Sequence, residues 1–247
     1  MKRGFITFVN NHPTYRKLND ILIESVITLT DVDIEVNSIN FDFCHSSKKV
    51  INKRINLKNE DYENICYAKT YSSLSTDFDV AVQLDSDMIV TRESIDLFDL
   101  IDPKENFVLG SIHPLDPNNQ QNVMSEYDIT SKSQPYIHAT YLLTKNSKSF
   151  LREVYEMEQH LLRKGIRPHN YDETVLNCAL WKHKKINCFV DCYDPFYKCF
   201  LHSFTKEKLL YHGYKNPSKV KRTICHGCKD VNLAKSIYET ILLEDSV

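Results

Sequence analysis

Two carboxylates at the end of a buried apolar run constrain this chain more than any other feature. Phe78 to Leu84 has the length and composition of a strand buried on both faces. Asp85, Ser86 and Asp87 stand where that strand must end, and Met88, Ile89 and Val90 resume the apolar character. Carboxylates are costly in a core unless they are paired or bound to a metal. In open α/β sheets, ligands bind at the carboxyl ends of strands. Two acids one residue apart at such an end are therefore candidate ligands for a hard divalent cation, Mg²⁺ or Mn²⁺. Asp and Ser are also common turn residues, so the motif by itself reads as a turn too. The surroundings must decide.

Those surroundings predict an α/β frame. Phe5 to Asn10 reads as a first strand, broken by Asn10–Asn11–His12–Pro13, and Pro13 suits the first turn of a helix. Leu18, Ile21, Leu22, Val26 and Leu29 recur at helical spacing, and Asp33 to Phe43 predicts a second strand. Strand, helix, strand implies a parallel sheet with a right-handed crossover. Ser46 to Asn59 is polar and basic and reads as a loop. Ile65, Ala68, Tyr71 and Leu74 mark a helix over Asp61 to Ser75 that leads into the motif strand. Ile95 to Ile101 predicts a short helix stopped by Pro103, and Asn106 to Ile112 a strand. His113 to Ser133 reads as a long polar loop, of the kind that often carries function. Tyr136 to Thr144 predicts a strand, then a helix capped by Asn146 or Ser147 and ended by Gly165. Asp172 to Trp181 is a further helix and Ile186 to Val190 a short strand. Asp191 to Arg222 is aromatic and basic with no readable period. Val231 to Leu242 closes as an amphipathic helix.

Composition bounds the function. The chain has 247 residues, enough for one large α/β domain with a substantial core. Its net charge is −2, so no overall basic field argues for nucleic acid. Two local basic stretches occur, Lys48 to Arg54 and Lys215 to Arg222. The first reads as a solvated loop; the second is a solvated loop or an anion-facing segment. No stretch approaches the ~20 apolar residues that span a bilayer. The start lacks the features of a signal peptide, which predicts a cytoplasmic protein with eight reduced cysteines.

Taken together, several segments resemble nucleotide-sugar glycosyltransferases of the GT-A fold, most closely family 8, the glycogenin and lipopolysaccharide galactosyltransferase type. Cys66 to Leu74 stands where that family has a Tyr-x-Arg-Leu helix, followed after a short gap by the strand ending in Asp85–Ser86–Asp87. Tyr136 to Leu143 is similar to its Phe-Asn-Ser-Gly-Val strand, and Asn170 to Asn177 to its Asp-Gln-Asp-x-x-Asn helix start. Cys225 to Lys229 is similar to its His-x-x-Gly-x-x-Lys segment, shortened. The order of these segments agrees over most of the chain.

The resemblance implies a Rossmann-like α/β fold with a mixed, mostly parallel central sheet flanked by helices. It implies one domain over 1–247, with a nucleotide-binding half of about 1–110 and an acceptor-side half of about 111–247. The implied activity is metal-dependent transfer of a sugar from a nucleoside-diphosphate sugar, UDP-sugar favoured, to a glycan, lipid or protein acceptor. Asp85, Asp87 and His226 would hold Mn²⁺ or Mg²⁺, and imidazole favours Mn²⁺. Asp85 would also contact ribose. Lys69 and Lys229 would neutralise phosphate oxygens, and Asn10, Asn11 and Tyr15 would meet the base. His138, Ala139 and Thr140 would border the sugar, and Asp172 and Glu173 would orient it or activate the acceptor. Departures are visible: Lys69 replaces Arg, His138–Ala139–Thr140 replaces Asn-Ser-Gly, Glu173 replaces Gln, and the last segment lacks Pro-Trp. They leave the donor sugar and the stereochemistry open.

Other readings exist for the same residues. Asn11 or His12 could be a helix cap and Tyr15 a packing residue, Asp172 an N-cap, Lys69 a helix-surface charge and His226 a surface histidine. Cys188-x₃-Cys192 with Cys225-x₂-Cys228 has the spacing of a structural zinc site. That spacing keeps a zinc-stabilised binding module in view. A nucleotidyltransferase is a further alternative, but such enzymes normally begin with a Gly-rich phosphate loop and this chain has 5 Gly in all.

Overall fold

A computed structural model describes residues 1–58, 62–113, 120–185, 188–189, 191–194, 198–204 and 221–244. Among these residues, seven strands form the main sheet, in the order β3-β2-β1-β4-β7-β6-β8. They are β1 (Arg3–Val9), β2 (Asp33–Ile39), β3 (Val50–Ile55), β4 (Val80–Leu84), β6 (Leu109–Ile112), β7 (Ile137–Thr144) and β8 (Cys188–Phe189). β3, β2, β1 and β4 run parallel, β7 opposes β4 and β6, and β6 and β8 are parallel again. The result is the mixed, mostly parallel α/β sheet that the resemblance implies. β5 (Met88–Val90), β9 (Asp191–Asp194), β10 (Cys199–Phe204) and β11 (Lys221–His226) form a second, antiparallel sheet in the order β5-β11-β10-β9.

The central strands are buried on both faces, and strand alternation sorts their side chains. Val80, Val82 and Leu84 of β4 pack with Phe5 and Val9 of β1 against Leu22, Ile23 and Val26 of α1 (Pro13–Leu29). Ala81 faces the other way. It joins the core formed by α2 (Tyr62–Ser75), α4 (Lys148–Lys164) and α5 (Tyr171–His183), where Tyr67, Val154 and Trp181 are buried. A third cluster joins Leu18 and Leu29 of α1 to Ala234, Ile237 and Ile241 of α6 (Val231–Glu244). Gly4 is required by close approach, because a Cβ there would sit 2.2 Å from the ring of Phe78. Among the described residues, no helix is long and apolar enough to cross a membrane.

Several elements differ from the sequence reading. The basic segment contains β3, an edge strand with buried ends, Val50 and Ile55, between which half-buried and exposed residues alternate, rather than the expected loop. Lys53 there bonds the buried Glu35 at 2.9 Å, and Lys49 donates to the carbonyls of Ile27 and Thr30 at the end of α1. β2 stops at Ile39, where Asn40 turns the chain with φ +59°. The polar segment after His113 contains α3 (Gln121–Glu126), whose Val123 and Met124 are buried; residues 114–119 lie outside the described set. Arg92–Asp99 is 3-10 rather than α-helical. Neither Asn146 nor Ser147 caps α4 with its side chain; Thr144 caps a 3-10 turn, Lys145–Ser147, that runs into it. Gly165 ends α4 with φ +68°, as expected. Ile186, Val190, residues 215–220 of the second basic stretch and most of the aromatic region beyond Tyr193 are outside the described residues.

Candidate functional site

The carboxyl ends of β1 and β4 open into a cleft of about 490 Å³. The turn after β4 is fixed from two sides. Ser86 Oγ donates to the Phe8 carbonyl at 2.7 Å, and the Met88 N–H donates to the Asp85 carbonyl at 3.3 Å. This turn aims Asp85 and Asp87 into the cleft while Met88 continues into β5. β5 pairs with β11 so that Met88 lies opposite His226. Strand pairing thus carries His226 from near the C-terminus to the acidic turn. Its Nε2 lies 3.5 Å from Asp85 Oδ2 and 3.9 Å from Asp87 Oδ1. One ligand atom from each of these three residues lies within 4.8 Å of the others. Two carboxylates and an imidazole fit a divalent ion of the Mn²⁺ type, so the donor set passes the chemical test for a metal site.

Lys69 holds the other oxygen of Asp85. It projects from α2, is only 5% exposed, and is therefore no helix-surface charge. Its Nζ lies 2.7 Å from Asp85 Oδ1 and 3.1 Å from Asp172 Oδ2. Burial opposes its charge, but the carboxylates of Asp172 and Asp85 outweigh that and hold the ammonium well above its usual range. Burial likewise acts to raise Asp85, yet Lys69 and His226 keep it well below the usual carboxylate range. Asp87 goes the other way: burial, reinforced by Asp85, raises it despite His226 and Lys229. Burial pushes Asp172 up to about 6, against the pull of Lys69. Asp172 is not the cap of α5; Asn170 is, in the left-handed region at φ +58°.

Glu173, the next residue, faces a different partner. Its Oε2 accepts from the Ala139 N–H at 3.1 Å and lies 3.5 Å from His138 Nδ1, and its Oε1 accepts from Asn170 Nδ2 at 3.3 Å. Burial acts to raise its pKa, but His138, His113 and the Ala139 N–H together lower it. The His113 ring packs on His138 with centroids 4.2 Å apart, and His138 meets the His226 ring at 5.2 Å.

Asn10, Tyr15, Lys69, Asp85, Asp87, His138, Ala139, Asp172, Glu173, His226 and Lys229 all line this one cleft. Two expected residues do not. Asn11 is exposed and accepts from Arg16 at 3.3 Å. Thr140 is buried beneath the strand with its hydroxyl 3.6 Å from the Met88 sulfur. His12 supplies the cap of α1, its Nδ1 accepting from the Thr14 N–H. His113, Asn170 and Phe200 line the cleft without having been singled out in the sequence. His113 had a readable signal, since like Asp85 it is a polar residue just past the end of a predicted strand. Phe200 had none, because β10 shows no period.

The four-cysteine site is not assembled among the described cysteines, and the side chain of Cys192 lies outside the described residues. Cys188 packs in the core beneath the main sheet, and burial pushes its thiol up to about 12. Cys225 and Cys228 pack in the separate cluster around α1 and α6. Among the described residues, neither group with ligand geometry contains a cysteine.

No protein-family model matches this sequence, and no curated protein matches it. Among solved structures, the chain is similar to the apo form of the glycosyltransferase GlyE of Streptococcus pneumoniae TIGR4. The TM-score is 0.50 at 15% identity, over 76% of this chain. The match spans 45% of GlyE, so the chain corresponds to less than half of that protein. At this identity the likeness is one of fold, and it agrees with a GT-A-like α/β architecture.

Proposed function

We propose that this protein is a metal-dependent glycosyltransferase that uses a nucleoside-diphosphate sugar, with a UDP-sugar as the favoured donor. One observation carries the reading: Asp85 Oδ2, Asp87 Oδ1 and His226 Nε2 converge at the carboxyl end of a central parallel strand, inside a cleft of about 490 Å³. The fold shared with GlyE and the family 8 motifs support it.

Asp85, Asp87 and His226 would hold Mn²⁺, or Mg²⁺, whose charge stabilises the departing diphosphate. Lys229 is exposed on the rim and supplies a further cation for phosphate oxygens. The resemblance gives Lys69 the same task, but its ammonium lies on Asp85 and Asp172. Its role in this reading is therefore positioning: it fixes Asp85 from one side and Asp172 from the other. Asn10 and Tyr15, at the β1 end, border the base. His138, the Ala139 backbone, Asp172 and Glu173 border the sugar and the acceptor hydroxyl, where a fixed carboxylate orients hydroxyls or accepts a proton. In this reading the chain is one domain with a nucleotide-binding half of about 1–110 and an acceptor-side half of about 111–247, from which His226 and Lys229 reach the metal and diphosphate.

The test is diphosphate release from UDP-, GDP- and dTDP-sugars with Mn²⁺ or with chelator. Metal-dependent UDP release, abolished in Asp87→Asn with the circular dichroism unchanged, supports the reading. Metal-independent release, or none from any donor, rejects it in favour of a binding module.

A further inference from the structure

We infer that the cleft contains a second divalent-cation site, formed by His113, His138 and Glu173 and suited to Zn²⁺ or Co²⁺ rather than Mg²⁺. The three residues come from three elements: the end of β6, the start of β7 and the first turn of α5. One candidate ligand atom from each lies within 4.8 Å of the other two. This set shares no residue with Asp85, Asp87 and His226. Two imidazoles and one carboxylate are the donors of an open zinc site, and they select zinc-like ions over magnesium.

The supporting contacts are those of a metal ligand set. The Ala139 N–H and the Asn170 amide already hold the Glu173 carboxylate in place. Outer partners of this kind orient ligands and raise their affinity. The His113 backbone is fixed by its bond to the Tyr136 carbonyl at 2.9 Å, which sets the ring against His138. An ion pair between His138 and Glu173 accounts for two of the residues. A second imidazole, from His113, tilts against the first with ring centroids 4.2 Å apart and completes the set. All three residues line the cleft, so a bound ion keeps an open position toward it. Bonds of about 2.0–2.1 Å require only small side-chain rotations from the present arrangement. The inference does not need the glycosyltransferase reading, because the ion binds with or without nucleotide.

The test is a Co²⁺ titration of the chelator-treated full chain, read by visible absorption and by Zn²⁺ competition. Asp87→Asn disables the acidic site, and His113→Ala and Glu173→Gln disable the proposed one. The proposal predicts an intense, low-coordinate Co²⁺ band, displaced by Zn²⁺ and kept in Asp87→Asn. In His113→Ala and Glu173→Gln, affinity falls by more than about 100-fold, beyond the loss of a merely supporting hydrogen bond. If His113→Ala misfolds by circular dichroism, His113→Gln replaces it. A band lost in Asp87→Asn and kept in His113→Ala would assign all binding to the acidic site and overturn the proposal. So would the absence of any such band. Neither result decides sugar transfer, which is read separately by diphosphate release.

Discussion

Replacing Lys69 with Met exposes how the site is held together. The ammonium lies 2.7 Å from Asp85 and 3.1 Å from Asp172, and its side chain is 7% exposed. Met keeps the length and the apolar stem, so the loss is mainly one of charge. Two carboxylates then face each other across a buried gap. Removing one partner of a buried pair costs about 3–5 kcal/mol. The lower end applies here, because the Asp85 side chain is 24% exposed and Asp172, already pushed up to about 6, can take a proton. About 3 kcal/mol lowers the melting temperature of a chain this size by roughly 6–12 °C. The assay is urea and thermal unfolding at pH 7.5 with chelator. Adding Asp172→Asn to Lys69→Met removes one stranded carboxylate and returns about 1–2 kcal/mol, a coupling visible in a double-mutant cycle. Mn²⁺ narrows the gap further, because an ion at Asp85 and Asp87 replaces part of the missing charge. A loss below about 1 kcal/mol, the value of an exposed pair, would refute the account of Lys69 as the clamp of the site.

Three further outcomes test the surrounding structure. Glu158 is fully buried, accepts from the Thr70 hydroxyl at 2.7 Å, and is held well above the ordinary carboxyl range by burial. A raised carboxyl pKa stabilises the fold below the unfolded value of about 4.3, and that contribution is lost as pH rises through the folded value. Urea melts at pH 5 and pH 8 should therefore show Glu158→Gln gaining on the wild type at the higher pH. Gly4→Ala drives a methyl into the Phe78 ring, 2.2 Å away, and should cost about 1–3 kcal/mol by denaturant unfolding. Asn177 bonds both the N–H and the carbonyl of Ile137 and the carbonyl of Glu173. Asn177→Ala strands buried backbone groups and should cost about 1–3 kcal/mol in the same measurement.

The parts of the molecule that could be read from sequence are those where burial imposes a period. β1, α1, β4 and β7 carry apolar residues on the faces the sheet covers, and each falls close to its expected place. β3 was hidden because an edge strand is paired on one side and keeps Lys53 and Arg54, which look like loop residues. β9 to β11 were hidden because a small antiparallel sheet over a cleft mixes aromatic and basic residues. The acidic turn was legible because carboxylates after an apolar run have few harmless explanations. Its link to His226 was not legible from spacing, because it depends on the β5–β11 register across more than half the chain. The Lys69 contacts were missed for a similar reason. Nothing in a helical stripe says that its one lysine turns inward to meet acids from β4 and α5.

The most direct test of the central claim is calorimetric titration of UDP into the chelator-treated protein with and without Mn²⁺. It is run on the wild type, Asp87→Asn and His226→Ala. The account predicts that the wild type binds UDP only with Mn²⁺, and that both variants lose this dependence together with the affinity. UDP binding of equal strength in chelator, or unchanged Mn²⁺-dependent binding in Asp87→Asn, would contradict it.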